Sequence, residues 1–143
     1  MEQSAKRILL SFFKAAQLQS EQQAYFLSLW KEYTFKQNEL IMEAGRIEKH
    51  FYVVLEGVQA MYLLNQKGDK VVLGFSYTGS PSGIFDSFLH KRPADTFLEA
   101  LKPSKLLGIS RSDYLSLFEA HPDFHKWGHL FSGISFLEDC LGR

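Results

Sequence analysis

Apolar residues recur along the chain in three rhythms, and each predicts a different kind of element. At the N-terminus Ile8, Leu9, Phe12, Phe13 and Ala16 fall three and four apart, which gathers them on one face of a helix. Ser20-Glu21-Gln22-Gln23 has the form of a capping box, in which a serine hydroxyl and a glutamine side chain satisfy free backbone donors. Ala24, Phe26, Leu27 and Trp30 follow as a second helix. From Tyr33 the rhythm shortens. Tyr33, Phe35, Leu40, Ile41, then Phe51, Tyr52, Val53, Val54 and Leu55, then Val58, Met61, Tyr62, and finally Val71, Val72, Leu73, Phe75 and Tyr77 arrive in short β-branched and aromatic runs. Gly45, Gly57, Gly68, Gly74 and Gly79 punctuate them. This predicts a block of short antiparallel strands. Asn65-Gln66-Lys67-Gly68-Asp69 is the polar connection a hairpin needs, and Thr78 to Gly83 breaks regular structure before a short helical segment at 84–89. Strands around 96–101 and 105–109 complete the block.

The third rhythm is helical again. Ser110-Arg111-Ser112-Asp113 has the cap-plus-acid pattern, and Tyr114, Leu115, Leu117 and Phe118 form a helix that ends at His121 before Pro122. Trp127, Ile134 and Leu141 then recur at intervals of seven, with Leu130 and Leu137 three after the first two, a heptad seam weakened by Gly128 and Gly133. Such a seam either packs on the chain's own sheet or pairs with a second copy; the second predicts a homodimer.

Composition narrows the class. With 143 residues, 45% of them apolar and 15% aromatic, the chain can bury one core, and it is expected to be one structural domain: helices over 1–32, the strand block over 33–110 and helices over 111–143. Sixteen basic and sixteen acidic residues cancel, so no cationic face for nucleic acid is expected. Cys140 is the single cysteine, which excludes an intrachain disulfide and suits a cytoplasmic location. Met1-Glu2-Gln3-Ser4 leads into an amphipathic pattern, so neither a signal peptide nor a membrane span is expected.

Candidate chemistry is sparse. His121, His125 and His129 share a helical face, yet no further ligands stand at zinc-site spacing, and a solvated polar face accounts for them; no metal site is assigned. There is no Gly-x-Ser-x-Gly elbow and no phosphate-cradling loop ending in Lys-Ser or Lys-Thr, so no catalytic residues are assigned and the chain is not expected to be an enzyme.

One stretch carries a family resemblance: the turn at Glu43-Ala44-Gly45, the aromatic run Phe51-Tyr52-Val53-Val54, the Leu55-Glu56-Gly57 that closes it, and the strand from Val58 to Tyr62. In wording, spacing and order it resembles the cyclic-nucleotide-binding domain of Crp/Fnr-like transcription regulators. The resemblance implies an α+β, mainly β fold: an antiparallel double-stranded β-helix (β-roll, jelly-roll-like) flanked by N-terminal helices and a long C-terminal helix. It also implies a non-catalytic sensor, dimerising through Trp127, Leu130, Ile134, Leu137 and Leu141, that reaches DNA only through a domain absent from this chain. The family's ligand site maps onto Ser82, Gly83, Ile84, Phe85, Asp86, Phe88, Arg92, Ala94, Asp95 and Phe97. Aligned on Pro93, the phosphate-binding arginine of the family falls at Ala94, its neighbouring small residue at Asp95, and the ribose-binding glutamate at Phe85. A buried phosphate without a cation is costly, so cyclic AMP or cyclic GMP is not expected as a cofactor in the usual mode, and Phe85 and Phe88, with Phe97 opposite, favour an apolar occupant or a filled core. The Ser82 end of the short helix could still offer backbone amides to an anion. Alternatives are a stand-alone cyclic-nucleotide or small-ligand-binding module and a metal-dependent cupin-like barrel enzyme, although His50 is alone among the strands.

Overall fold

The computed structural model describes residues 1–12 and 19–120. Two helices, α1 (Gln3–Phe12) and α2 (Ser20–Ser28), precede five strands, β1 (Lys31–Phe35), β2 (Leu40–Met42), β3 (His50–Glu56), β4 (Val58–Leu64) and β5 (Lys70–Tyr77). The two-residue β6 (Pro81–Ser82), the short helix α3 (Phe85–His90), β7 (Phe97–Ala100), β8 (Ser104–Ser110) and α4 (Arg111–Ala120) follow. The strands form two antiparallel four-stranded sheets, ordered β1-β8-β3-β6 and β2-β7-β4-β5, the mainly β roll with flanking helices that the sequence predicts.

β3 explains the layering. Its odd members Phe51 and Val53 join Leu107 and Ile109 of β8 on one face, where Ala5 and Leu9 of α1, Phe26 of α2, Trp30, Phe88 of α3, and Tyr114 and Leu117 of α4 cover them. Its even members Tyr52 and Val54 point the other way with Leu106, against Tyr33, Phe35 and Ile41 inside the roll. A strand buried on both faces reads as a continuous apolar run, which is what the sequence has here. Phe51 meets Trp30 edge to face at a centroid distance of 6.2 Å, and Phe88 meets Tyr114 at 5.4 Å, so the helices lock onto the sheet through aromatic contacts.

The roll interior also holds a polar chain. Fully buried Gln59 of β4 donates through Nε2 to Ser104 Oγ (2.9 Å) and accepts from Ser76 Oγ (2.6 Å), and Ser76 bonds Ser82 Oγ (2.9 Å). These bonds tie β4 and β5 of one sheet to β8 and β6 of the other, and a buried amide so satisfied specifies register without an unpaired cost.

Several local expectations shift. The capping interaction of α2 lies one residue earlier than expected: Gln22 Oε1 accepts from the Gln19 amide at 3.3 Å, and Trp30 stands beyond the helix, in the turn to β1. The cap of α4 is as expected, with the Asp113 amide donating to Ser110 Oγ at 3.1 Å. The short helix begins at Phe85, not Ser82, because Pro81 and Ser82 pair with Val53 and Tyr52 as β6. Phe13 and Ala16, the three clustered histidines, and the seam from Trp127 to Leu141 lie outside the described residues.

Gly57 shows why a glycine closes the Leu55-Glu56-Gly57 stretch. Its φ is +98°, and a Cβ there would collide with the Ser104 hydroxyl and stand 2.7 Å from the Pro103 carbonyl oxygen. Gly74 on β5 has open space around it and no positive φ. We therefore expect Gly57→Ala to cost roughly 2–4 kcal/mol in urea unfolding, from the forced backbone and the overpacking together. Gly74→Ala should be neutral or stabilising by up to about 1 kcal/mol.

Candidate ligand-binding site

The residues that the sequence marks out as a ligand site do not form one open pocket. Ile84 and Ala94, both buried, pack with Met42 and Leu98 and with half-buried Ile41 and Met61 in an apolar cluster between the sheets. The backbone of Ala94 is spent: its amide donates to the Arg46 carbonyl (2.8 Å) and its carbonyl accepts from the Gly45 amide (2.7 Å). Ser82 belongs to the Gln59 network. Gly83, at φ +104°, turns the chain from β6 toward α3 over the Tyr52 ring. Phe85 and Phe88 face outward from the roll, against Phe51 at 5.5 and 6.4 Å, in the layer shared with the helices.

Phe97 is elsewhere. It stacks on Tyr62 of β4 (5.2 Å, 10° between planes), on the sheet face opposite Met61 and Leu98, so the expectation that it faces Phe85 and Phe88 is wrong. The reason is parity: residues 97 and 98 point to opposite faces of β7, and Leu98 takes the interior. Arg92, exposed, reaches back to Asp86 Oδ1 at 3.1 Å, and the same carboxylate has His90 at 3.8 Å. Asp95 is exposed. Among the described residues no group of three or more His, Cys, Asp or Glu side chains gathers as a metal site, and no described helix is long and apolar enough to cross a membrane.

The open space lies beside this cluster. A cleft of about 330 Å³ is lined by Tyr33 and Phe35 of β1, Leu40 to Met42 of β2, His50 and Tyr52 of β3, and the connecting turn with Glu43, Arg46 and Glu48. At its inner wall His50 sits between two phenols, with Tyr33 Oη 3.0 Å from Nε2 and Tyr52 Oη 3.3 Å from Nδ1. Gly108 of β8 makes this possible: a Cβ there would come within 2.9 Å of both tyrosine rings. The β3 alternation puts His50 and Tyr52 on the same face, and that much was legible from sequence.

Glu48 was not. It is only 3% exposed. Its Oε1 accepts from the His50 amide and its Oε2 from the Ile84 amide, each at 3.3 Å, while its own amide donates to Ser87 Oγ at 2.8 Å. The amide end of α3 that the sequence offered to an exogenous anion is thus approached by an internal carboxylate. Burial pushes the Glu48 pKa up to about 7, against the pull of the backbone donors from Ile84, His50 and Lys49. Burial also lowers the pKa of His50, helped by the positive charges of Lys49 and Lys31, and so favours its neutral form. No sequence signal marks a glutamate in a polar turn as buried; only its contacts with α3, nearly forty residues on, do so.

Comparison with known proteins agrees with this architecture. The family model described as the cyclic nucleotide-binding domain matches residues 32–121. Among curated proteins no sequence matches. Among solved structures, the chain is similar to the Thermus thermophilus catabolite activator protein, with 21% identity and a TM-score of 0.72 over 88% of this chain and 59% of that one. It is also similar to the sensor domain of the transcriptional regulator DNR from Pseudomonas aeruginosa (18% identity, TM-score 0.75, 95% of this chain and 91% of that one). A third likeness is to the regulatory domain of Toxoplasma gondii PKA crystallised with cAMP (16%, 0.68, 80% and 43%). The chain therefore spans under two thirds of the first and third of these proteins.

The two titrations give a pH signature. A carboxyl whose folded pKa is raised binds its proton more tightly when folded. The contribution of Glu48 is therefore full below pH 4.5 and lost as pH rises through about 7. The wild type should lose up to roughly 3 kcal/mol over that span, while His50, depressed, acts oppositely and removes stability as pH falls below its ordinary value of 6.5. Glu48→Gln should abolish the loss on the alkaline side and leave the acid-side loss. Urea unfolding across this range checks it; parallel profiles for wild type and variant would sink the assignment.

Proposed function

The chain belongs to the cyclic nucleotide-binding domain family, and on that premise we propose that it is a non-catalytic sensor domain of a Crp/Fnr-like transcription regulator that does not hold a cyclic phosphate in the usual way. The observation that carries the second half is Ala94. It fills the family's phosphate-binding position with a methyl group packed against Met42, Ile84 and Leu98, and its backbone groups are already bonded within the turn at Gly45 and Arg46. The nearest cation in sequence, Arg92, is paired with Asp86. A phosphate brought into this cluster would lose its hydration and gain no counter-charge, a cost of several kcal/mol.

The sensor half of the proposal is supported by the family and by the place of α3. This helix touches the roll interior through Ile84 at its cap, and it packs through Phe88 on Tyr114 of α4, the last described element. A ligand that favours one position of α3 would shift the population of arrangements at α4 and in the segment beyond it. That segment carries the seam of Trp127, Leu130, Ile134, Leu137 and Leu141, which in this reading pairs two copies, and DNA is reached only through a further domain.

Titration calorimetry with cyclic AMP and cyclic GMP at millimolar concentration is the direct test, and no saturable heat is expected with either. Micromolar binding of one of them would overturn the reading of Ala94. Sedimentation equilibrium should show a dimer that Ile134→Glu together with Leu137→Glu converts to monomer; a wild-type protein monomeric at high concentration would remove the pairing.

A further inference from the structure

The cleft beside the filled cluster has walls unlike it. Tyr52 meets Tyr33 at 6.0 Å and 85°, and Phe35 at 6.4 Å and 88°, so the Tyr33 and Phe35 rings each stand nearly perpendicular to the Tyr52 ring around one opening. Its volume, about 330 Å³, is at the small end of the range for ligand pockets.

The polar groups in that wall leave one donor over. A neutral imidazole has one N–H and one bare nitrogen, and both nitrogens of His50 are bonded to phenols. One tyrosine must therefore donate to the bare nitrogen and the other must accept from the N–H. The accepting tyrosine keeps its own proton, for which no acceptor stands among the described hydrogen bonds. Exchanging the tautomer moves the spare proton from Tyr52 to Tyr33 without removing it. That proton is free to meet an acceptor, and both tyrosines line the cleft.

Charge narrows the class. Neither sign prevails: Lys49 and Lys31 set positive potential at His50, and the Glu48 carboxyl at the inner end offsets it. At the rim Arg46 and Glu43 neutralise each other at 3.4 Å.

We infer that this cleft is a ligand site for a small, uncharged, planar molecule bearing a hydrogen-bond acceptor, received by the spare phenolic proton of the Tyr33–His50–Tyr52 chain. Occupancy is read by α3. Glu48 lines the cleft and is bonded to the Ile84 amide at the cap of α3 and to Ser87 within it, so a molecule displacing the 43–49 turn pulls on the helix directly. Binding in the cleft stands on this geometry alone; its effect on α3 deepens the sensor reading and rests on it.

The test follows tyrosine and histidine ring resonances by NMR while quinoline or nicotinamide, both uncharged and planar with an acceptor, is titrated into the full chain. Indole, of similar size with a donor and no acceptor nitrogen, is the control. Saturable shifts at Tyr33, His50 and Tyr52 are expected for the first two, with indole at least tenfold weaker. The double variant Tyr33→Phe/Tyr52→Phe keeps both rings and removes both phenolic protons, and should weaken quinoline at least tenfold; its dispersed spectrum and cooperative unfolding confirm that it folds. No saturable shift with either acceptor-bearing probe, or undiminished binding by the folded double variant, overturns the inference. Binding in the cleft without shifts in α3 amides overturns only the coupling. Cyclic AMP shifting the amides around Ala94 overturns the reading of the family site and leaves the cleft standing.

Discussion

The rest of the structure hangs on β3 and its pairing with β8. Both strands are buried on both faces, so each residue of β3 is committed to one of two layers, and a slip of one position would exchange them. Phe51 and Val53 hold the helical layer; Tyr52 and Val54 hold the roll interior. This division gives α1, α2, α3 and α4 a common surface and leaves the opposite face for the second sheet. Gly108 adds the one local requirement, since only a missing Cβ lets Tyr33 and Tyr52 settle over β8 with His50 between them.

The same division separates two neighbouring regions of different character. The region around Ala94 is solid: its methyl group lies inside an apolar cluster, with Phe85 turned outward to Phe51. The neighbouring region is hollow, aromatic and polar at one wall. Glu48 joins them, since its carboxylate bonds the helix cap at Ile84 while its side chain lines the cleft. A buried carboxyl bonded to two amides, with no ion-pair partner among the described residues, costs stability at neutral pH. Such a cost is common where a fold keeps a group for function in place of packing.

Legibility from sequence varied with the range of the interaction concerned. Strands, hairpin and helices followed from periodicity and glycine placement, because alternation within β3 or β8 is a property of neighbours. The cap of α2 lies at Gln19, one residue early, and α3 starts at Phe85, since Pro81 and Ser82 gained β6 pairing with β3 that no local pattern announces. That Ala94 carries no charge is plain from its residue type, but its place in a packed cluster with bonded backbone needed Met42 and Leu98 from other strands. Phe97 is the residue that residue type misplaces: an aromatic beside a candidate pocket suggests an inward side chain, whereas strand parity gives the inward position to Leu98.

By itself the sequence determined the β-roll with its flanking helices and the family, all matters of residue type and spacing. Tertiary structure alone decided that Glu48 is buried against α3, that His50 bridges two tyrosines from different strands, and that Arg92 is held by Asp86. The physical reason is desolvation. Whether a charged or polar side chain remains in water or is buried with partners depends on what the rest of the chain brings over it, and for Glu48 and His50 that cover comes from segments distant in sequence.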